Sequence, residues 1–230
     1  VRSAHKNLQE QAKATNLEKS GRKIPPPGGS VVANLIFGIA FLMLENFMAS
    51  LSGHLLVASQ NLLDPNFVRS VVLLVQHTEE GALGVVVNRP ISKSVQDLWR
   101  EVGGGPCNNT QPVYLGGPVP GPLMAVHGEG SLGEVQIIPG LFFSASKQNL
   151  DALVARSDQS LKIFIGHSGW GPGQLDQELE QGAWLTAPST PELVFFDSSE
   201  LWATVSRLIG REMMQSMLHI KNIPDDPRVN

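Results

Sequence analysis

The residues most able to do chemistry sit where glycines and prolines interrupt apolar runs. Gly166-His167-Ser168-Gly169-Trp170 follows the apolar stretch Leu161–Ile165 and precedes a helical pattern. That is the setting of a nucleophile elbow, which lifts a serine above a strand-to-helix turn. Asp197 and His219 follow Ser168 in Ser–Asp–His order. Two features count against the reading. The second glycine of such an elbow would fall at position 170, where Trp170 stands, and only 62 residues follow Ser168. Ser59 is the other serine considered as a nucleophile working with a histidine.

Other polar groups suit binding better than bond-breaking. In Trp170-Gly171-Pro172-Gly173-Gln174 a proline fits the first turn of a helix, and the glycines allow close backbone approach. Gln174 and Glu178 are four apart, hence on one helix face. This pattern reads either as a structural turn with Trp170 in the core or as helix N–H groups offered to an anion or polar ligand. Asn88-Arg89-Pro90 closes a β-branched run and can aim an amide and a guanidinium into a cleft. Arg89 there suits a carboxylate or phosphate, or an internal ion pair with Asp64 or Glu178. His54, His77, His127 and His167 form no pair at metal-ligand spacing, and the one cysteine, Cys107, lies in a loop-like Gly/Pro/Asn stretch. Gly103-Gly104-Gly105 follows a helix instead of joining strand to helix, so it is not a phosphate loop. No cofactor and no metal is expected.

These groups need elements to hold them. His54–Ala58, 69–76, 83–88, 112–115, 123–127, 135–144, 161–167, 184–187 and 193–196 read as strands. The runs 69–76 and 83–88 form a hairpin across a Gly-containing loop, and Asp64-Pro65-Asn66 is a turn. Helices are expected at 95–102, started by Ser94 with Asp97, at 146–155, at 174–181 and at 199–217. Strands and helices interleave irregularly, which favours α+β over a doubly wound sheet.

Of the 230 residues, 42% are hydrophobic and 17% charged, enough apolar surface for a sizeable core. Residues 1–30 hold six basic and two acidic residues and end in Pro-Pro-Pro-Gly-Gly-Ser. Residues 31–230 then carry 11 basic and 19 acidic residues, a net charge of −8, which argues against direct nucleic-acid binding. The apolar run from Val31 to Met43 is short of the roughly 20 residues of a membrane span. Residues 1–50 are read as an extension outside the domain, 51–217 as the domain, and 218–230 as a tail. No membrane span is expected in the body.

Four stretches together carry a family resemblance. They are Gly53-His54-Leu55-Leu56-Val57-Ala58-Ser59 with Asp64-Pro65-Asn66-Phe67, then 81–90 (GALGVVVNRP), then Gly116-Gly117-Pro118-Val119 with Val126-His127, and 166–175 (GHSGWGPGQL) with Glu178 and Trp184. In order and spacing the chain resembles the YqgE/AlgH family over about 52–217. The resemblance implies an α+β single domain whose mixed β-sheet curls into a pseudo-barrel with helices packed outside. It implies a soluble, cytoplasmic protein without an established reaction, one branch of the family bearing a transcription-regulator label. Gln60 stands where the family's proline is expected, His167 where an aromatic is, and Ser168 where a small residue is. The expected binding residues are Ser59, Asp64, Asn88, Arg89, His127, Trp170, Gln174 and Glu178, with no catalytic residue assigned. The function read from them is a regulatory or small-ligand-binding module with a small-molecule or protein partner. A hydrolase using a Ser/His pair and a regulator acting on DNA directly are the alternatives.

Overall fold

The computed structural model describes residues 50–156, 160–196 and 198–218. Residues 1–49 of the expected extension, Asp197, His219 and most of the expected tail lie outside the described residues.

Period-two alternation of apolar side chains builds the strands. Leu55 and Val57 of β1 (His54–Ala58) face one cluster and Leu56 and Ala58 face another. Strand β2 (Val71–Thr78) does the same, with Val71, Leu73 and Val75 on one side and Val72 and Leu74 on the other. Both faces are therefore covered, and each fully buried Leu or Val contributes on the order of 1.5–3 kcal/mol.

Two sheets result. The first is antiparallel, in the order β10 (Ser168–Trp170), β3 (Gly81–Val86), β2, β1, β11 (Trp184–Pro188). The second runs β4 (Pro90–Ser94), β5 (Pro112–Leu115), β9 (Leu161–Ile165), β6 (Met124–His127), β8 (Leu141–Ser144), β7 (Val135–Ile138). Its β5–β9 pair is parallel and the others antiparallel, so the fold is mixed α+β. Facing sides of the two sheets share the largest apolar cluster, which α4 (Pro191–Val194) and α5 (Leu201–Leu218) complete through Val194, Leu201, Val205 and Ile209. Helices α1 (Val95–Glu101) and α2 (Lys147–Val154) cover the outer face of the second sheet. Helix α3 (Gln174–Glu180) joins Trp170 and Trp184 on the outer face of the first.

Three expectations are corrected. Neither sheet closes: β10 and β11 end the first and β4 and β7 end the second, so two open sheets replace the pseudo-barrel. The run 135–144 is two strands, because Pro139-Gly140, with Gly140 at φ +80°, folds it into the β7–β8 hairpin. The run expected as a strand at 193–196 instead includes the end of helix α4. Thr190 Oγ1 accepts the Leu193 N–H and Pro191 fills the first turn, a helix start that outweighs the β-rich composition. Strand β4 was not foreseen. The expected start of α1 is present: Ser94 Oγ accepts the Asp97 N–H at 3.1 Å and donates to the Asp97 carboxylate at 2.6 Å.

Gly116 and Gly117 lie against Gly166 and His167 where the sheets meet. A Cβ on Gly116 would stand 2.3 Å from the Gly166 carbonyl oxygen, and one on Gly117 2.3 Å from that of His167. Glycine is required here by close backbone approach, not by a ligand. Among the described residues no helix is long and apolar enough to cross a membrane.

Candidate functional site

The loop between β1 and β2, residues 59–70, gathers most of the residues singled out in the sequence. Ser59 opens it, its N–H donating to the Ala183 carbonyl at 2.9 Å and its carbonyl accepting from Leu62 at 3.1 Å. Ser59 Oγ is buried without a hydrogen-bond partner. Asp64 turns the chain: Oδ1 accepts the Asn66 N–H at 2.7 Å, and the backbone carbonyl accepts from Phe67 and Val68. Arg69 closes the loop at φ +55°, a conformation rare outside glycine.

That loop is held from beneath by Asn88 and Arg89. Asn88 Oδ1 accepts the Val71 N–H at 2.8 Å while its Nδ2 donates to the Arg69 carbonyl at 2.9 Å. The Arg89 guanidinium donates to the carbonyls of Asn66 and Val68. Burial lowers the pKa of Arg89, with nearby Asp64 pulling the other way. Arginine stays charged regardless, so these are charge-assisted bonds to loop carbonyls. The ion pair expected with Asp64 or Glu178 is replaced by backbone contacts.

Phe67 points from the loop into an aromatic group. Its ring stacks on Trp170 (6.3 Å, 25°) and meets Trp184 edge-on (5.4 Å, 75°). Both indole N–H groups donate to Glu178 Oε2, at 2.9 Å from Trp170 and 2.8 Å from Trp184. Gln174 Nε2 donates to Glu178 Oε1 at 2.9 Å, and Gln174 Oε1 accepts the Gly171 N–H at 3.1 Å. The four-residue spacing places Gln174 and Glu178 together as expected, and their polar atoms bond inward. Ser59 and Asp64 thus lie in one loop that Asn88 and Arg89 hold and that meets Trp170 through Phe67, with Glu178 and Gln174 bonded behind the tryptophan.

His127 lies apart, in the second sheet. It is 1% exposed, and its Nε2 lies 3.0 Å from Ser144 Oγ. Ser144 donates its own proton to the Leu132 carbonyl at 2.6 Å, so the imidazole must be the donor in the His–Ser contact. The opposite polarity would be needed to activate a serine. Nδ1 is buried with no hydrogen-bond partner. Burial lowers the histidine pKa, outweighing the Glu129 backbone and the Glu129 and Glu134 carboxylates.

Ser168 is not on an elbow. It sits in strand β10 opposite Gly84, is fully buried, and donates to the Gly116 carbonyl at 3.1 Å. Among the described residues no cluster of three or more His, Cys, Asp or Glu is placed to hold a metal.

Two features were missed in the sequence. Phe67, quoted in the sequence only as the end of Asp64-Pro65-Asn66-Phe67, ties the loop to Trp170 and Trp184. Lys162 is 5% exposed inside β9, donates to the Val87 carbonyl at 2.8 Å and lies 4.4 Å from the Tyr114 ring centre. A signal existed: Lys162 is the one charge in the run Leu161–Ile165, on the side that Phe164 turns to the central core.

A family model described as AlgH-like matches residues 55–214. A UPF0301 protein of Chlorobaculum tepidum is 36% identical over 195 residues, covering 82% of this chain and 100% of its own length. One from Streptomyces avermitilis is 39% identical over 203 residues, covering 80% of this chain and 97% of itself. Among solved structures, the solution structure of AlgH from Pseudomonas aeruginosa is similar with a TM-score of 0.61 and 29% identity, covering 76% of this chain and 97% of that one. A crystal structure of a Corynebacterium diphtheriae protein is similar at TM-score 0.56 and 25% identity, covering 68% and 85%.

Proposed function

The chain belongs to the AlgH-like family, and from that premise we propose that it is a cytoplasmic regulatory module that binds a protein partner through its 59–70 loop. The working unit in this reading is 51–217, with 1–50 an extension and 218–230 a tail. One observation carries it: Asn88 and Arg89 commit their hydrogen-bonding groups to fixing a loop that leaves Leu63 81% and Val68 43% exposed. Holding a loop in its bound shape lowers the ordering cost of association, and apolar tips on such a loop suit a shallow apolar cleft on another protein.

The alternatives lose support from the same geometry. A hydrolase needs a serine whose proton a histidine can take, whereas Ser168 donates to a carbonyl and Ser144 receives from His127. A regulator contacting DNA directly needs a basic face, and residues 31–230 carry a net charge of −8.

The test compares the native protein with a Leu63→Asp/Val68→Asp variant in quantitative affinity capture from cytosolic extract. A partner enriched by the native chain is lost from the variant, while unfolding free energy stays within about 0.5 kcal/mol, since both side chains are at the surface. Equal capture by both proteins sinks the reading.

A further inference from the structure

A second candidate site shares no residue with the 59–70 loop and does not depend on that reading. A cavity of about 230 Å³ opens between helices α1 and α2, where Pro122 and Leu123 lead into β6 and Ala145 leaves β8. Trp99 and Val102 line it from the α1 side and Leu150 from α2.

We propose that this cavity binds an uncharged apolar molecule about the size of one six-membered ring. Val102, Pro122, Leu123, Ala145 and Leu150 offer apolar side chains, and the polar groups of the lining are bonded to one another. Lys147 Nζ donates to Asp151 Oδ2 at 2.6 Å, and Trp99 Nε1 donates to Asp151 Oδ1 at 3.0 Å. Those bonds, Lys147 first and Trp99 second, hold the Asp151 pKa below its ordinary value, so the pair stays ionised and closed. A charged ligand would leave water here without meeting an unpaired opposite charge. A neutral apolar one loses little hydration and removes apolar surface from water.

The walls are ordered before a ligand arrives. Trp99 is buried, tied to α2 through Asp151 and covered by the turn that follows α1. There the Gly104 N–H donates to the Trp99 carbonyl at 2.8 Å, and a Cβ on Gly104 would stand 2.1 Å from Trp99 Cδ1. A fixed wall lowers the ordering cost of binding. Val102, at the end of α1, is 52% exposed, apolar surface that a ligand would cover. Size sets the remaining limit. The cavity equals about eight water volumes at roughly 30 Å³ each. An apolar cavity of about 150 Å³ suffices for benzene, and sites for drug-sized ligands begin at roughly 300 Å³. One ring with a short substituent fits between these bounds.

The tryptophans make the site separately visible. Trp99 lines the cavity, whereas the Trp170 and Trp184 indoles are bonded to Glu178 and that of Trp202 to the Ala58 carbonyl. Full-length protein carrying isotope-labelled tryptophan gives four indole N–H signals in NMR, and Trp99→Phe identifies one of them. The protein is titrated with toluene, and with benzoate and benzylammonium as its charged counterparts. The expected result is a saturable shift of the Trp99 signal with toluene, the other three staying in place. Both charged counterparts bind roughly tenfold more weakly or worse, for want of an unpaired partner. Val102→Asp puts a carboxylate at the mouth and weakens toluene about tenfold, with the other three indole signals verifying the fold. Leu63→Asp, in the 59–70 loop, leaves toluene binding unchanged. No saturable shift of the Trp99 signal overturns the proposal, as does movement of the other indoles in its place. Equal binding of benzoate or benzylammonium overturns the preference for a neutral ligand on the native protein itself. Toluene binding that Val102→Asp leaves intact overturns the assignment to this cavity.

Discussion

The Glu178 lock and the His127–Ser144 contact between β6 and β8 are two solutions to the same difficulty, a polar group drawn in among apolar ones. Around Glu178 the accounts close: two indole N–H groups and one amide meet one carboxylate, and Gln174 turns its oxygen to the Gly171 N–H. Around His127 they do not, since Nε2 donates to Ser144 while Nδ1 is buried without a partner. A satisfied, partly buried network makes a rigid support, whereas an unsatisfied buried titratable group couples the fold to pH. The first region supports the loop we assign to partner binding, and the second places a titratable group in the contact between β6 and β8.

The sharpest way to break the contrast is Glu178→Leu. It strands two indole N–H groups on side chains that are 6% and 3% exposed. Unfolding free energy in urea is expected to fall by about 3 kcal/mol, the cost of unpaired buried donors. A loss under about 1 kcal/mol would mean that aromatic packing alone holds the loop.

His127 gives a smaller effect with a definite sign. Burial holds its folded pKa below the ordinary histidine value, so protonation favours the unfolded chain. Its stabilisation is complete above about pH 6.5 and is lost as pH falls from there through the lower folded value. His127→Gln keeps a donor for Ser144 but cannot titrate. Urea denaturation at successive pH values should show the variant losing about 1 kcal/mol less than the native protein below pH 6.5. Parallel profiles would remove His127 as the source of acid sensitivity.

The smallest effect belongs to Glu134, which precedes β7 and meets the same Ser144 through its backbone N–H. Burial pushes its pKa up, but hydrogen bonds from Ser146, Ala145 and Asn149 prevail and bring it from 4.5 down to about 2. A depressed carboxylate stabilises the fold above its unfolded pKa and loses that contribution as pH falls through the folded value. The window is therefore roughly pH 4.5 to 2, below that of His127. Glu134 is largely solvent-screened, so Glu134→Gln should flatten acid denaturation there by about 0.5 kcal/mol. An unchanged acid limb would show that screening cancels the effect.

How much of this was legible in the sequence differs by level. Strands β1 and β5 and the Ser94 helix start could be read because alternation and capping are local. Helix α4 was misread because Leu193, Val194, Phe195 and Phe196 look like a strand until Thr190 and Pro191 are given their weight. The pseudo-barrel failed because curling one sheet round depends on where its edge strands end, which no local pattern encodes. Residues around the loop were found because polar groups at strand ends stand out. Their inward direction was not foreseen, since the carbonyls they meet are presented by a loop that Arg69 closes in a left-handed conformation. Lys162 was visible as a lone charge in an apolar strand, but the Val87 carbonyl and Tyr114 ring that it meets lie far from it in sequence.

Gly116 has a consequence for how the molecule comes apart. Its N–H donates to Ile165 in one sheet and its carbonyl accepts from Val86 in the other, with the Ser168 hydroxyl as a second donor. One residue without a side chain is thereby a seam between the sheets, at a separation too small to admit a Cβ. Opening either sheet at that point removes the partners of the other. It follows that opening at the seam costs hydrogen bonds in both sheets at once, which couples their unfolding there.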